Sequence, residues 1–96
     1  MKTTVKNAAI LCKKITDLYN KLNIDCEYFF NAHHDNLRVQ MDCSWETLGD
    51  IEHYLKINDL ESANDEFKNL QDTLIYCEAV IKLQQQVNDL PKCIFG

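Results

Sequence analysis

The string CEYFFNAHHDNLRVQMDC, residues 26–43, decides the fold class of this chain. In its first arm Tyr28, Phe30 and Ala32 alternate with Glu27, Asn31 and His33. In its second arm Leu37, Val39 and Met41 alternate with Arg38, Gln40 and Asp42. A period of two predicts strands. A turn centred on Asp35-Asn36 pairs His34 with Leu37, Ala32 with Val39, Phe30 with Met41 and Tyr28 with Cys43. That register puts every apolar residue except Phe29 on one face, and a one-residue slip would destroy it. Asp-Asn is a weaker type I′ signal than Asn-Gly, so a four-residue loop is the alternative. The hairpin predicts that Tyr28, Phe30, Val39 and Met41 are buried while Asn31, Arg38 and Gln40 are exposed. Phe29, Arg38 and Gln40 would share its outer face, an aromatic-plus-arginine composition suited to a partner contact.

Helices flank this segment on both sides. The first is expected from Thr3 or Thr4 to Leu22, burying Val5, Ala8, Cys12, Ile15, Tyr19 and Leu22, widened by Leu11 and Leu18. Its lysines take the polar face, with Ile10 the apolar exception there. Ser44 is a candidate N-cap for a second helix that ends near Asn58. Leu48, Ile51 and Leu55 form its core stripe. Asp59 can cap a third helix, with Glu61 in its first turn, that Pro91 stops. The joint from Asn58 to Ala63 resembles a tetratricopeptide hairpin, but a single copy makes no repeat array. The expected order is α-β-β-α-α: a mostly helical α+β fold, one domain over residues 1–96. A two-stranded antiparallel hairpin packs on three helices, the last of them long.

That last helix carries two apolar stripes on different faces. From Leu60 to Leu90 there is no Gly and no Pro. Ala63, Phe67, Leu70, Leu74, Cys77 and Ile81 repeat with heptad-like spacing. Tyr76, Val80, Leu83, Val87 and Leu90 form a second stripe ~140° around the helix. One stripe serves the chain's own core. The other needs covering, by this chain or by a partner. A helix of this length spans ~46 Å, against ~32 Å for the diameter of a compact domain this size. The second stripe is therefore a candidate homodimer patch.

Composition narrows the function classes. The chain has 96 residues, net charge −5, two glycines, one proline and five cysteines. Residues 1–24 carry +4, residues 25–41 carry −2, residues 42–78 carry −8 and residues 79–96 carry +1. Phosphate repulsion argues against direct nucleic-acid binding by the acidic middle, and a basic protein surface would be attracted to it. Asp50, Glu61, Asp65, Glu66 and Asp72 are the acidic partner-binding candidates. No window is long and apolar enough for a transmembrane span, and the polar start reads as no signal peptide. The odd cysteine count and the lack of C-x-x-C spacing predict reduced thiols in a cytoplasm, the cell's own or a host's. Cys26–Cys43, across the hairpin, is the one bridge geometry would allow.

Chemistry is sparse. His33-His34 beside Asp35, with Cys26 and Cys43 on the flanking strands, is the one metal-like cluster, and its spacing matches no zinc template. No thiol or hydroxyl sits in a pattern that pairs it with a base, and no Gly-rich phosphate loop exists. The expectation is a non-enzyme with no metal and no cofactor. In profile, short, acidic and without a catalytic set, the chain is similar to small inhibitors encoded by viruses of bacteria, including anti-CRISPR and DNA-mimic proteins. That likeness is compositional and assigns no residues. It implies a stoichiometric inhibitor or adaptor that presents acidic side chains to a basic protein, such as a nucleic-acid-binding complex. A self-assembling structural or regulatory module is the alternative. A metal protein or small enzyme ranks behind both.

Overall fold

The computed structural model describes residues 1–22 and 27–88, with side chains for 1–22 and 30–86. These form three helices: α1 (Val5–Tyr19), α2 (Glu27–Lys56) and α3 (Leu60–Asn88). There is no strand among the described residues, so the expected hairpin over 26–43 is replaced by the first half of one 30-residue helix.

The reason is a longer period hidden behind the short one. Phe30, Leu37, Met41, Ser44, Leu48, Ile51 and Leu55 step by 7, 4, 3, 4, 3 and 4 residues, a single helical stripe running through the supposed turn and the supposed cap. A lone two-stranded hairpin is marginal in water, and its turn would force positive φ on Asp35 and Asn36. The helix satisfies the same backbone groups internally and extends a core stripe already present downstream. Leu37, the residue that would follow the expected turn, is fully buried. Val39, expected in the core, is 51% exposed. Phe30 and Met41 are half-buried, and Tyr28 lies outside the described side chains. Asn31 and Arg38 are exposed as expected, but Gln40 is half-buried.

Ser44 is not a cap. It is 2% exposed in mid-helix, and its hydroxyl donates to the Met41 carbonyl one turn back. Its small side chain lets α1 come close. The Cys12 thiol donates to the Ser44 carbonyl at 3.2 Å. Burial, partly offset by this hydrogen bond, raises the Cys12 thiol above its ordinary value.

The boundaries at Thr4, Asn58 and Asp59, unlike the one expected at Ser44, stand where the sequence puts them. Thr4 caps α1, its hydroxyl accepting from the Asn7 N–H at 3.1 Å. At the far end of α2, Asn58 adopts φ 58°. The Asp59 N–H reaches back to the Tyr54 carbonyl at 2.9 Å and the Asn58 N–H to the Leu55 carbonyl at 3.3 Å. This is a Schellman ending with asparagine in the left-handed position. Asp59 then caps α3, accepting from the Ser62 N–H at 3.2 Å. Two long antiparallel helices are thus joined by a joint of three residues.

Side-chain bridges set the register. Asn36 donates to the Tyr76 hydroxyl, placing the start of α2 beside the second half of α3. Thr3 bonds Asn64, and Gln84 donates to the Lys21 carbonyl at 3.0 Å, so α1 runs parallel to α3. The result is an up-down-up bundle with extents of 57 × 21 × 16 Å. One core joins all three helices: Ala8, Cys12 and Ile15 meet Leu37 and Ile51, and both meet Phe67, Leu70 and Cys77.

The overhang argument therefore fails at its premise. The domain is a rod, and α2 matches the 29 residues of α3 in length. Part of the second stripe of α3 is covered by α2: Val80 is 6% exposed, and Tyr76 is bonded to Asn36. Tyr76 and Leu83 remain 38% and 45% exposed. Val87 and Leu90 lie outside the described side chains.

Candidate functional site

Charge is sorted by helix. Residues 1–22 hold Lys2, Lys6, Lys13, Lys14 and Lys21 against Asp17, a net +4, and all five lysines are exposed. By composition α2 carries −4 and α3 carries −3. The bundle is a basic helix laid against an acidic hairpin. Among the described residues the ion pair between side chains of fixed charge is Glu52–Lys56 at 3.4 Å, within α2. No ion pair joins a lysine of α1 to an acid of α3 among the described residues.

The five acidic candidates are unequal. Asp50, Glu61, Asp65 and Asp72 are exposed, and Glu66 is half-buried. At 100° per residue Glu61, Asp65 and Asp72 fall within about 40° of one another on α3, while Glu66 points about 100° away from Asp65. The antiparallel register carries Asp50 of α2 alongside Asp65. Glu46, exposed one turn before Asp50, belongs with them. Its four-residue spacing from Asp50 is the signal that a continuous helix makes legible.

The other partner-binding set does not form a face. On a helix Arg38 and Gln40 lie about 200° apart, and the Phe29 side chain lies outside the described residues. The hairpin that would set Cys26 opposite Cys43 is absent, and Cys26 itself falls outside the described residues. Cys43 is exposed, whereas Cys12 and Cys77 are free and buried. Burial, reinforced by the Glu78 carboxylate, pushes the Cys77 thiol up to about 11. It therefore stays a neutral packing group at neutral pH, far from nucleophile territory.

One polar string crosses the α1–α2 contact. The Tyr19 hydroxyl is hydrogen-bonded to His34 Nε2 at 2.8 Å, and His34 Nδ1 meets Asp35 Oδ1 at 3.2 Å. Phe30 stacks on the His34 ring at 4.5 Å between centroids. With both nitrogens engaged and a ring on its face, His34 is held as a strut between the end of α1 and the start of α2. The Trp45 indole of α2 adds a second tie, donating to the Thr16 hydroxyl of α1 at 3.0 Å.

A cleft of about 350 Å³ lies between α1 and α3, lined by Lys14, Asp17, Leu18, Lys21, Leu74 and Glu78. Its two lysines face two carboxylates over an apolar floor, with no thiol, hydroxyl or imidazole in the wall. Among the described residues no group of three or more His, Cys, Asp or Glu side chains could hold a metal ion. Among the described residues no helix is long and apolar enough to cross a membrane. Comparison with protein-family models, curated proteins and solved structures finds no match to this chain.

Proposed function

We propose that this chain is a small helical binding module that presents the acidic side of its α2–α3 hairpin to a basic protein surface, as a stoichiometric inhibitor or adaptor. The observation that supports this reading is the segregation of charge by helix. A protein that needed acids only for solubility gains nothing from gathering Glu46, Asp50, Asp65 and Asp72 on one side, with Lys68 among them but away from the five lysines of α1. Concentrated like charge costs self-repulsion, and long-range attraction of a basic partner is a return on that cost. In its sharper form the proposal is phosphate mimicry, with the carboxylates occupying a groove built for nucleic acid.

The test is retention of a partner from native-cell lysate on immobilised protein, with Asp50→Lys, Asp65→Lys and Asp72→Lys combined as the control. The expected partner is retained by wild type, lost on the triple variant, released by salt and displaced by duplex DNA. Equal retention by the variant, or retention indifferent to salt, would sink the proposal.

A further inference from the structure

The face shared by α1 and α2, on the side away from α3, is centred on the chain's one tryptophan. Trp45 is 44% exposed, yet its indole N–H is tied across the groove to the Thr16 hydroxyl at 3.0 Å. A large ring held in place and left half in water is a natural interface anchor, since little side-chain freedom remains to be lost on binding. Gly49, one turn on, adds no side chain beside it. The hydrogen bond also shows which residues share the face. At 100° per residue Thr16, Ala9, Asn20 and Lys13 fall about 100–160° around α1 from the buried Ile15. Trp45, Arg38, Gly49 and Asp42 fall about 100–160° around α2 from the buried Ser44. Both arcs open on the same side, because the helices are antiparallel and their Thr16 and Trp45 edges meet. The rims carry opposite charge: Lys13 is exposed on α1 and Asp42 on α2, with Arg38 the basic exception on α2. Among the described residues neither Lys13 nor Asp42 has an ion pair.

We infer that this face pairs with a second copy of the chain, α1 of each copy lying antiparallel on α2 of the other about a twofold axis that runs along the groove. Charge complementarity selects the occupant, because the face carries its own complement. Rotation about such an axis keeps each residue's level along the rod and exchanges the two helices. The Cys12–Ser44 and Thr16–Trp45 hydrogen bonds set Lys13 about level with Trp45. Lys13 of one copy therefore comes onto Trp45 of the other, a cation over an aromatic ring. Asp42 of that other copy lies one turn along, within reach of the same ammonium. Symmetry makes every contact twice. Ala9 comes level with Gly49, two small residues that let the helices approach. Arg38 meets Asn20, not a lysine. An axis across the groove would lay α1 on α1, cation against cation. The overlap is no longer than α1, ~22 Å, so the dimer belongs to the weak, transient class. Glu61, Asp65 and Asp72 of α3 stay outside it. The pairing goes beyond the acidic-surface reading and does not depend on it.

Sedimentation equilibrium of the full chain, from about 10 μM to about 1 mM, tests the pairing. The wild type should pass from monomer to dimer mass across that range. Lys13→Asp alone and Asp42→Lys alone each set like charges against one another at both symmetric contacts, so each should weaken the dimer about tenfold or more. The two reversals combined should restore it. Both positions are exposed, so circular dichroism should show an unchanged fold in all three variants. A wild type that stays monomeric at about 1 mM overturns the inference. Dimerisation that survives both single reversals, or that their combination fails to restore, overturns it as well. A dimer that Leu83→Lys dissolves would do the same, by assigning the contact to α3.

Discussion

The α2–α3 hairpin has two seams of the same spacing and opposite fate. The inner seam, where α1 lies, carries Leu37, Ile51, Leu70 and Cys77 at 0–1% exposure. The outer seam repeats the heptad with Val39, Tyr76 and Leu83 at 38–51% exposure and then gives way to carboxylates. Periodicity therefore establishes that a face is organised, not that it is core. What separates the two is chemistry along the stripe: uninterrupted apolar side chains where the chain covers itself, and a change of character partway along where it does not. Tyr76 of the outer seam is tied to α2 by the Asn36 side chain.

Truncating one leucine in each seam sharpens that contrast most. Leu70→Ala removes a side chain 1% exposed at the meeting of all three helices and should cost about 2–5 kcal/mol through lost burial and the cavity left behind. Leu83→Ala should cost under about 1 kcal/mol, as a half-exposed site does. Urea denaturation of the two variants measures the difference. Equal costs would mean the outer seam is core, covered by parts of the chain beyond the described residues.

Asn36 offers a test in which the sign decides. Asn36→Gly creates Asp-Gly, the stronger hairpin turn, so it would stabilise a strand-turn-strand segment. In the α2 helix it removes the bond to Tyr76 and puts glycine in a helix interior, for a loss of about 1–2 kcal/mol. Circular dichroism with chemical denaturation reports both the helix content and the stability. A gain in stability would break the α2 assignment and, with it, the outer seam.

That this segment was misread has a physical cause. Within residues 28–32 or 37–41 alone, period two fits, and each window is too short to contain two helical turns of contrast. The helical stripe emerges only when Phe30 and Leu37 are joined to Leu48 and Ile51 across Ser44, a residue whose capping preference argued for a boundary. Ser44 stays in the helix because its small, buried side chain is where Cys12 packs, a tertiary fact with no local signature. The ends at Thr4, Asn58 and Asp59 were legible because capping is local chemistry. Exposure of the acids was legible from charge. Their gathering from two helices onto one side was not, since it depends on the antiparallel register that the hairpin reading had removed.

Gly49 lies in mid-α2 on the solvent side, between the two seams. It has ordinary helical φ, and a Cβ placed on it meets nothing within 4 Å. Gly49→Ala should therefore stabilise by about 0.5–1 kcal/mol, chiefly by reducing the freedom of the unfolded chain. Differential scanning calorimetry should show a higher Tm with partner binding unaltered. A lower Tm would mean that this stretch of α2 bends at Gly49, and that the outer seam is not straight.

The smallest expected effect lies at the joint where both seams end. Asp59 holds the first turn of α3, and the hydrogen bonding of its carboxylate to Ser62 lowers its pKa from the ordinary 3.8. A carboxylate with a depressed folded-state pKa adds stability that is complete above its unfolded value and fades as the pH falls through the folded one. The wild type should therefore lose this contribution on acidification below 3.8. Asp59→Asn keeps an acceptor for the Ser62 N–H and removes the titration, so its acid limb should be shallower than that of wild type. Denaturation midpoints of the two proteins, taken across the acid range, make the comparison. Parallel acid limbs would show that the carboxylate does not hold the joint, leaving the left-handed Asn58 and the Schellman bonds to keep α2 and α3 in register.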